Sequence, residues 1–150
     1  MELKDEIIIN ASQAVVYAAL NDPEVLKQCI PGCEELIKHS NTELEAKVVL
    51  KIGPVKAKFS GNVTLSPAAP PERFSLAGTG NGGAAGYAKG GAVVELEQHQ
   101  DGTLLRYTAT ADIGGKLAQL GSRLIQGTAK KLAAEFFKSF ADLVGEDNAA

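Results

Sequence analysis

From residue 32 to residue 113 apolar and polar side chains alternate with a period of two. In residues 42–52, Leu44, Ala46, Val48, Leu50 and Ile52 share one face. Glu43, Glu45, Lys47 and Lys51 take the other, with Val49 the exception. Gly53 and Pro54 signal a turn, and residues 55–65 then repeat the pattern with Val55, Ala57, Phe59, Val63 and Leu65 inward. A proline-rich connection over residues 66–71 leads to three more runs, 73–80, 86–97 and 103–113, the last two divided by Asp101-Gly102. Residues 2–10 supply a strand ahead of these, with Leu3, Ile7 and Ile9 on one face. One greasy face and one wet face predict an antiparallel sheet.

Two short helices follow the first strand. Ser12 is placed to cap a helix carrying Val15, Val16 and Leu20. Asp22 can cap a second, with Pro23 at its first position, which buries Leu26 and Ile30 and ends at Pro31-Gly32. After Gly114-Gly115 the period becomes 3.6 and holds to about Val144. Leu117, Leu120, Leu124, Leu132, Phe136, Phe140 and Leu143 form the stripe, widened by Ile125, Phe137 and Val144. This predicts one long helix ended by Gly145, with residues 146–150 as a polar tail. No repeat or linker interrupts the pattern, so a single domain over residues 1–145 is expected. The fold class is α+β: about seven strands in a curved antiparallel sheet, wrapped on the one helix long enough to cover its apolar face.

Length agrees, since 150 residues suit one domain that buries roughly two-thirds of its unfolded surface without a disulfide or metal. The net charge of −3 argues against a general nucleic-acid binder, which needs a basic face for phosphates. The longest apolar run, residues 14–20, is far short of the ~20 residues that span a bilayer. The opening Met-Glu-Leu-Lys-Asp-Glu has no basic and then apolar leader pattern, so a soluble, cytoplasmic protein is expected.

Candidate chemistry lies on the inner face of the last three strands. Alternate residues read Phe74, Leu76, Gly78, Gly80, then Gly86, Ala88, Gly90, Ala92, Val94, Leu96, then Leu105, Tyr107, Ala109, Ala111, Ile113. Glycine and alanine supply little volume beneath a helix ~10 Å away. Glycines in strands also mark bends, so the expectation is curvature combined with an apolar cavity for a hydrophobic ligand. Its candidate lining is Leu26, Ile30, Leu50, Phe59, Phe74, Leu76, Gly78, Gly90, Ala92, Tyr107, Ala109, Ala111, Leu117, Leu120 and Leu124.

Other motifs are weaker. Gly78-Thr-Gly-Asn-Gly-Gly83 matches a dinucleotide fingerprint by letter, but a strand follows it instead of a helix start. Cys29 and Cys33, with no further cysteine and no histidine nearby, do not make a zinc site, and Cys29 reads as a small apolar residue. His39 and His99 lie in polar stretches beside turns and read as surface residues. Asp5 and Tyr107 are the ionisable groups expected to face inward, which leaves little for acid–base catalysis. Lys130, Lys131 and Lys138 interleave with Glu135 and Asp142, as on a solvated face. No catalytic residue, metal or cofactor is expected.

The chain resembles the CoxG family of carbon monoxide dehydrogenase subunits, within the superfamily of START and birch-pollen-allergen-like helix-grip proteins. The resemblance rests on Asn21-Asp-Pro-Glu24, Cys29-Ile-Pro-Gly-Cys-Glu34, Lys51-Ile-Gly-Pro-Val-Lys56, Phe59-Ser-Gly61 and, most specifically, Gly114-Gly-Lys-Leu-Ala-Gln-Leu-Gly-Ser-Arg-Leu-Ile125. It implies a non-catalytic accessory protein that recruits a molybdenum hydroxylase of the carbon monoxide dehydrogenase type to the membrane. A lipid or quinone held in the cavity would serve that role, with peripheral association at the inner face of the cell membrane. Longer members carry a C-terminal extension that anchors them. Two alternatives stay open: a small cyclase or hydrolase of the same superfamily, and a purely structural protein–protein adaptor.

Overall fold

A computed structural model describes residues 1–69 and 71–149, with side chains for residues 1–66 and 71–145. Strand β1 (Glu2–Ile9) leads into α1 (Gln13–Leu20) and α2 (Pro23–Cys29). Six strands follow: β2 (Cys33–Lys38), β3 (Glu43–Ile52), β4 (Val55–Ala69), β5 (Arg73–Asn81), β6 (Tyr87–His99) and β7 (Gly102–Gly114). They form one antiparallel sheet in the order β1-β7-β6-β5-β4-β3-β2, and α3 (Ser122–Ala149) lies along its concave face.

Local chemistry explains the joints. The Ser12 hydroxyl accepts the Val15 N–H at 3.3 Å and Asp22 Oδ1 accepts the Glu24 N–H at 2.9 Å, capping both short helices. The buried Thr103 hydroxyl donates to the Ala11 carbonyl at 2.7 Å and ties the corner between β1 and α1 to the start of β7.

Two expectations about the chain's end need correction. Residues 115–120 are a 3-10 segment, not the first turns of the long helix. Gly115 and Gly121 bracket it with φ of +74° and +94°, values that side-chain-bearing residues rarely adopt. The long helix also does not stop at Gly145 but runs on to Ala149. Gly145 is buried beside Asn10, and a Cβ there would stand 3.8 Å from the Asn10 Cβ, an ordinary contact, so the helix passes through this glycine without a break. Strand β4, too, continues to Ala69, beyond the expected residue 65.

The register brings the inner residues into cross-strand rows. Phe74, Val94 and Tyr107 form one row, Leu76, Ala92 and Ala109 the next, and Gly78, Gly90 and Ala111 the third. These rows divide the molecule into two poles. At one end Ile9, Leu65, Phe74, Leu96 and Leu105 are buried with Val16 and Leu20 of α1, Leu26 of α2 and Phe140 of α3. Toward the β3–β4 turn the rows shrink to glycine and alanine. Ala46, Gly61, Gly80, Ala88 and Ala111 face the helix yet are only half-buried. A small cluster around Val55, Ala85 and Leu117 closes that end.

This division sets unequal costs for truncation. Phe140→Ala, at a site with 0% exposure, is expected to cost about 3–5 kcal/mol in chemical denaturation. Leu50→Ala, half-buried at the loose pole, should cost about 1 kcal/mol or less. Equal losses would contradict the two-pole description.

Candidate functional site: an apolar cavity between sheet and helix

At the loose pole sheet and helix border a half-open cavity of about 430 Å³, within the usual size range of small-ligand sites. Its roof is a single row of facing residues, Ala46, Gly61, Gly80, Ala88 and Ile113, drawn from five successive strands by the register. Val48, Leu50, Ile52, Phe59 and Val63 complete the sheet side. Leu117, Ile125, Thr128, Ala129 and Leu132 form the helix side, and Ile30, Pro31 and Met1 stand at the ends. The cause is volume: four adjacent strands offer nothing larger than a methyl group along that row, so the helix above them finds no partner atoms.

The inner glycines split between the two roles open to them. A Cβ added at Gly80 would meet nothing within 4 Å, so that position borders open space. A Cβ at Gly90 would stand 2.1 Å from the Thr110 carbonyl oxygen, and one at Gly78 3.0 Å from that of Asn62. Gly78 and Gly90 therefore let neighbouring backbones approach, which bends the sheet, while Gly80 leaves room.

Among the expected lining residues, Ile30, Leu50, Phe59 and Leu117 border the cavity. Leu26 and Phe74 are buried in the packed pole, and Leu76 packs against it. Gly78, Gly90, Ala92, Ala109 and Ala111 sit half-buried on the inner face, outside the lining. Tyr107 lies nearer the β1 edge, stacked on Phe137 with ring centroids 4.9 Å apart. Leu120 packs with the Val55–Leu117 cluster, and Leu124 points away, 39% exposed against Gly53. The break at Gly121 resets the helical phase, so that Ile125, Ala129 and Leu132, spaced i, i+4, i+7, face the cavity in place of Leu120 and Leu124. The signal that locates the lining is the pairing of Ala46 with Gly61 and of Gly61 with Gly80, visible only once the β3–β4 and β4–β5 registers are known.

The wall offers almost no polarity: Thr128 carries the one polar side chain among the lining residues. Asp5 faces inward as expected, opposite Tyr107 in register and bordering a hollow between β1 and α3 with Phe137, but it is exposed, and its Oδ1 accepts the Glu6 N–H at 2.8 Å. The carboxylate thus occupies an amide on the free edge of β1. Burial, and after it the Asp5 charge, raises the Tyr107 hydroxyl above the ordinary tyrosine value. Its folded form keeps the proton longer than the unfolded chain. That contribution is complete below the unfolded value and is lost as pH rises through the folded one.

Burial also raises both thiols, Cys29 and Cys33, which are free, and keeps them protonated and poorly nucleophilic. His39 pairs with Glu45 at 2.7 Å and His99 lies 3.8 Å from Asp101, both beside turns. Gly78 to Gly83 ends β5 and enters a short 3-10 turn (Gly83–Ala85), so no helix start stands ready for a phosphate. Among the described residues no three His, Cys, Asp or Glu side chains gather as metal ligands, and no helix is long and apolar enough to cross a membrane.

A curved seven-stranded antiparallel sheet closed on a terminal helix over a hollow defines a helix-grip protein of the α+β class. The chain belongs to the CoxG family of carbon monoxide dehydrogenase subunits, whose model matches residues 6–145. It is similar to the crystal structure of a conserved protein from Geobacillus kaustophilus, 30% identical, covering 97% of this chain and 96% of that one with a TM-score of 0.90. A protein from Rhizobium leguminosarum, 16% identical, covers 97% of this chain and 95% of its own at a TM-score of 0.73. One from Chromobacterium violaceum, 15% identical, covers 96% and 97% respectively at 0.72, and these two show the fold alone. No curated protein matches.

The two kinds of inner glycine make opposite predictions. Gly80→Leu should leave the thermal midpoint unchanged or raised, because the side chain enters an apolar void. Gly90→Ala should destabilise by about 1–3 kcal/mol, since its methyl group meets the β7 backbone. Melting both variants by circular dichroism checks the contrast.

Proposed function

We propose that this chain is a non-catalytic accessory protein that holds a hydrophobic molecule, a lipid or a quinone, in the cavity. It would serve a molybdenum hydroxylase of the carbon monoxide dehydrogenase type, at the inner face of the membrane. The observation that carries the ligand half is the cavity of about 430 Å³ with a single hydroxyl on its wall. A wall of this kind gives an apolar guest about 0.8 kcal/mol per buried methylene and offers a polar one only the Thr128 hydroxyl. Selection would act through length and shape, which suits an acyl or isoprenoid chain.

Family membership supports the accessory half, because the family is named for a component of carbon monoxide dehydrogenase. The non-catalytic reading draws on the lining, in which no side chain titrates. A cyclase or hydrolase needs an acid or base within hydrogen-bond reach of its substrate. Thr128 alone does not supply one.

Extraction of purified protein with organic solvent, followed by mass spectrometry, tests the ligand half. The wild type should release a lipid or quinone in near-stoichiometric amount, and Gly80→Leu, which fills the space, should release several-fold less. A wild-type extract without any such compound, from protein that still binds none when supplied with it, overturns the proposal.

A further inference from the structure

The chain carries a net charge of −3, yet its charges are segregated. No acidic residue occurs between Glu45 and Glu72, where Lys47, Lys51, Lys56 and Lys58 fall. None occurs between Asp112 and Glu135, where Lys116, Arg123, Lys130 and Lys131 fall. The fold brings parts of both stretches to the loose pole, since the β3–β4 turn lies against the start of α3. The contact is Leu124 on Gly53: the Leu124 Cδ2 lies 2.8 Å from the place where a Cβ on Gly53 would stand.

Around this contact an exposed apolar centre, Gly53, Pro54 and Leu124, is ringed by cations. Lys51 and Lys56 flank the turn, and Arg123 and Lys131 share a shallow hollow with Leu120 and Leu124. Lys116 precedes them in the 3-10 segment. Among the described residues none of these five cations is in an ion pair, a state they share with Lys4, Lys27, Lys38, Arg73, Lys89 and Lys130, so each charge is available to an outside anion. Lys51 and Lys56 are moreover direct cross-strand partners, a like-charge juxtaposition that weakens a hairpin unless an anion lies across it. At the same end of the sheet Tyr87 is 53% exposed, an amphipathic ring of the kind that settles at headgroup level.

We infer that this tip, centred on Leu124 and rimmed by Lys51, Lys56, Lys116, Arg123 and Lys131, docks the folded domain on an anionic lipid surface. It rests on the membrane part of the proposed function and assigns that part to residues of the domain itself. Leucine would enter the headgroup boundary while the cations meet lipid phosphates, a combination of apolar burial and charge that neither supplies alone. The placement also has a use. Thr128 belongs both to the shallow hollow and to the cavity wall, so docking sets the helix side of the cavity against the bilayer. An apolar molecule could then pass between cavity and membrane with little exposure to water.

The test is sedimentation of the full chain with phosphatidylglycerol–phosphatidylcholine vesicles and with pure phosphatidylcholine vesicles, at low and high salt. Binding is expected on the anionic vesicles alone and should weaken as salt screens the charges. Lys51→Gln and Lys56→Gln should each lower the partition coefficient by about fivefold, and Leu124→Ser should lower it several-fold. Lys27→Gln, on α2, is expected to leave it unchanged, and far-UV circular dichroism verifies that every variant is folded. Wild-type protein that ignores anionic vesicles overturns both the tip and the membrane reading. Vesicle binding that resists Lys51→Gln, Lys56→Gln and Leu124→Ser overturns the tip alone. If the lysine variants lose capture of a purified molybdenum hydroxylase while vesicle binding is untouched, the tip is a protein-docking face and the lipid assignment is wrong.

Discussion

A helix laid across a concave sheet can approach only as closely as its bulkiest contacts allow, and everything particular to this molecule follows from where that bulk is placed. Phe74, Leu96, Leu105 and Phe140 hold the two layers apart at one end and fill the gap they create. At the other end the same separation persists over Ala46, Gly61, Gly80 and Ala88, which cannot fill it. The hollow is therefore not carved out of a core. It is the continuation of a spacing fixed elsewhere, and Val55, Ala85 and Leu117 stop it from running straight through to solvent.

Much of this was legible in the chain. Alternation gave the strands, Ser12 and Asp22 gave the helix starts, and the inner-face residues of β5, β6 and β7 face one another as their parity predicts. Parity fails to convey register. Gly61 lies in a strand read as apolar inward, and nothing local says that it stands between Ala46 and Gly80. The helix was harder still, because a 3.6-residue pattern passes smoothly through Gly121 whereas the backbone does not. With φ at +94° the chain turns there, the phase restarts, and Leu124 moves from the expected lining to the outside. Asp5 keeps its inward parity, opposite Tyr107 and beside Phe137, but an edge strand leaves it exposed to solvent, and its carboxylate accepts the Glu6 amide.

The split between the poles also separates kinds of residue. Side chains that hold the fold together lie with α1, α2 and the last turns of α3, far from the open row. Those of the open row itself, Ala46, Gly61, Gly80 and Ala88, are small and half-buried. Volume added at Gly80 meets no neighbour, so the size of the hollow can change there with modest effect on folding.

The bareness of the wall has a consequence of its own. Among the described residues no buried side-chain nitrogen or oxygen lacks a hydrogen-bond partner, so vacancy leaves nothing electrically unsatisfied. A wall this apolar gives water few partners. A guest would add its binding free energy to a scaffold already complete, in proportion to the logarithm of its concentration. Occupancy by any apolar molecule and resistance to unfolding would therefore rise together.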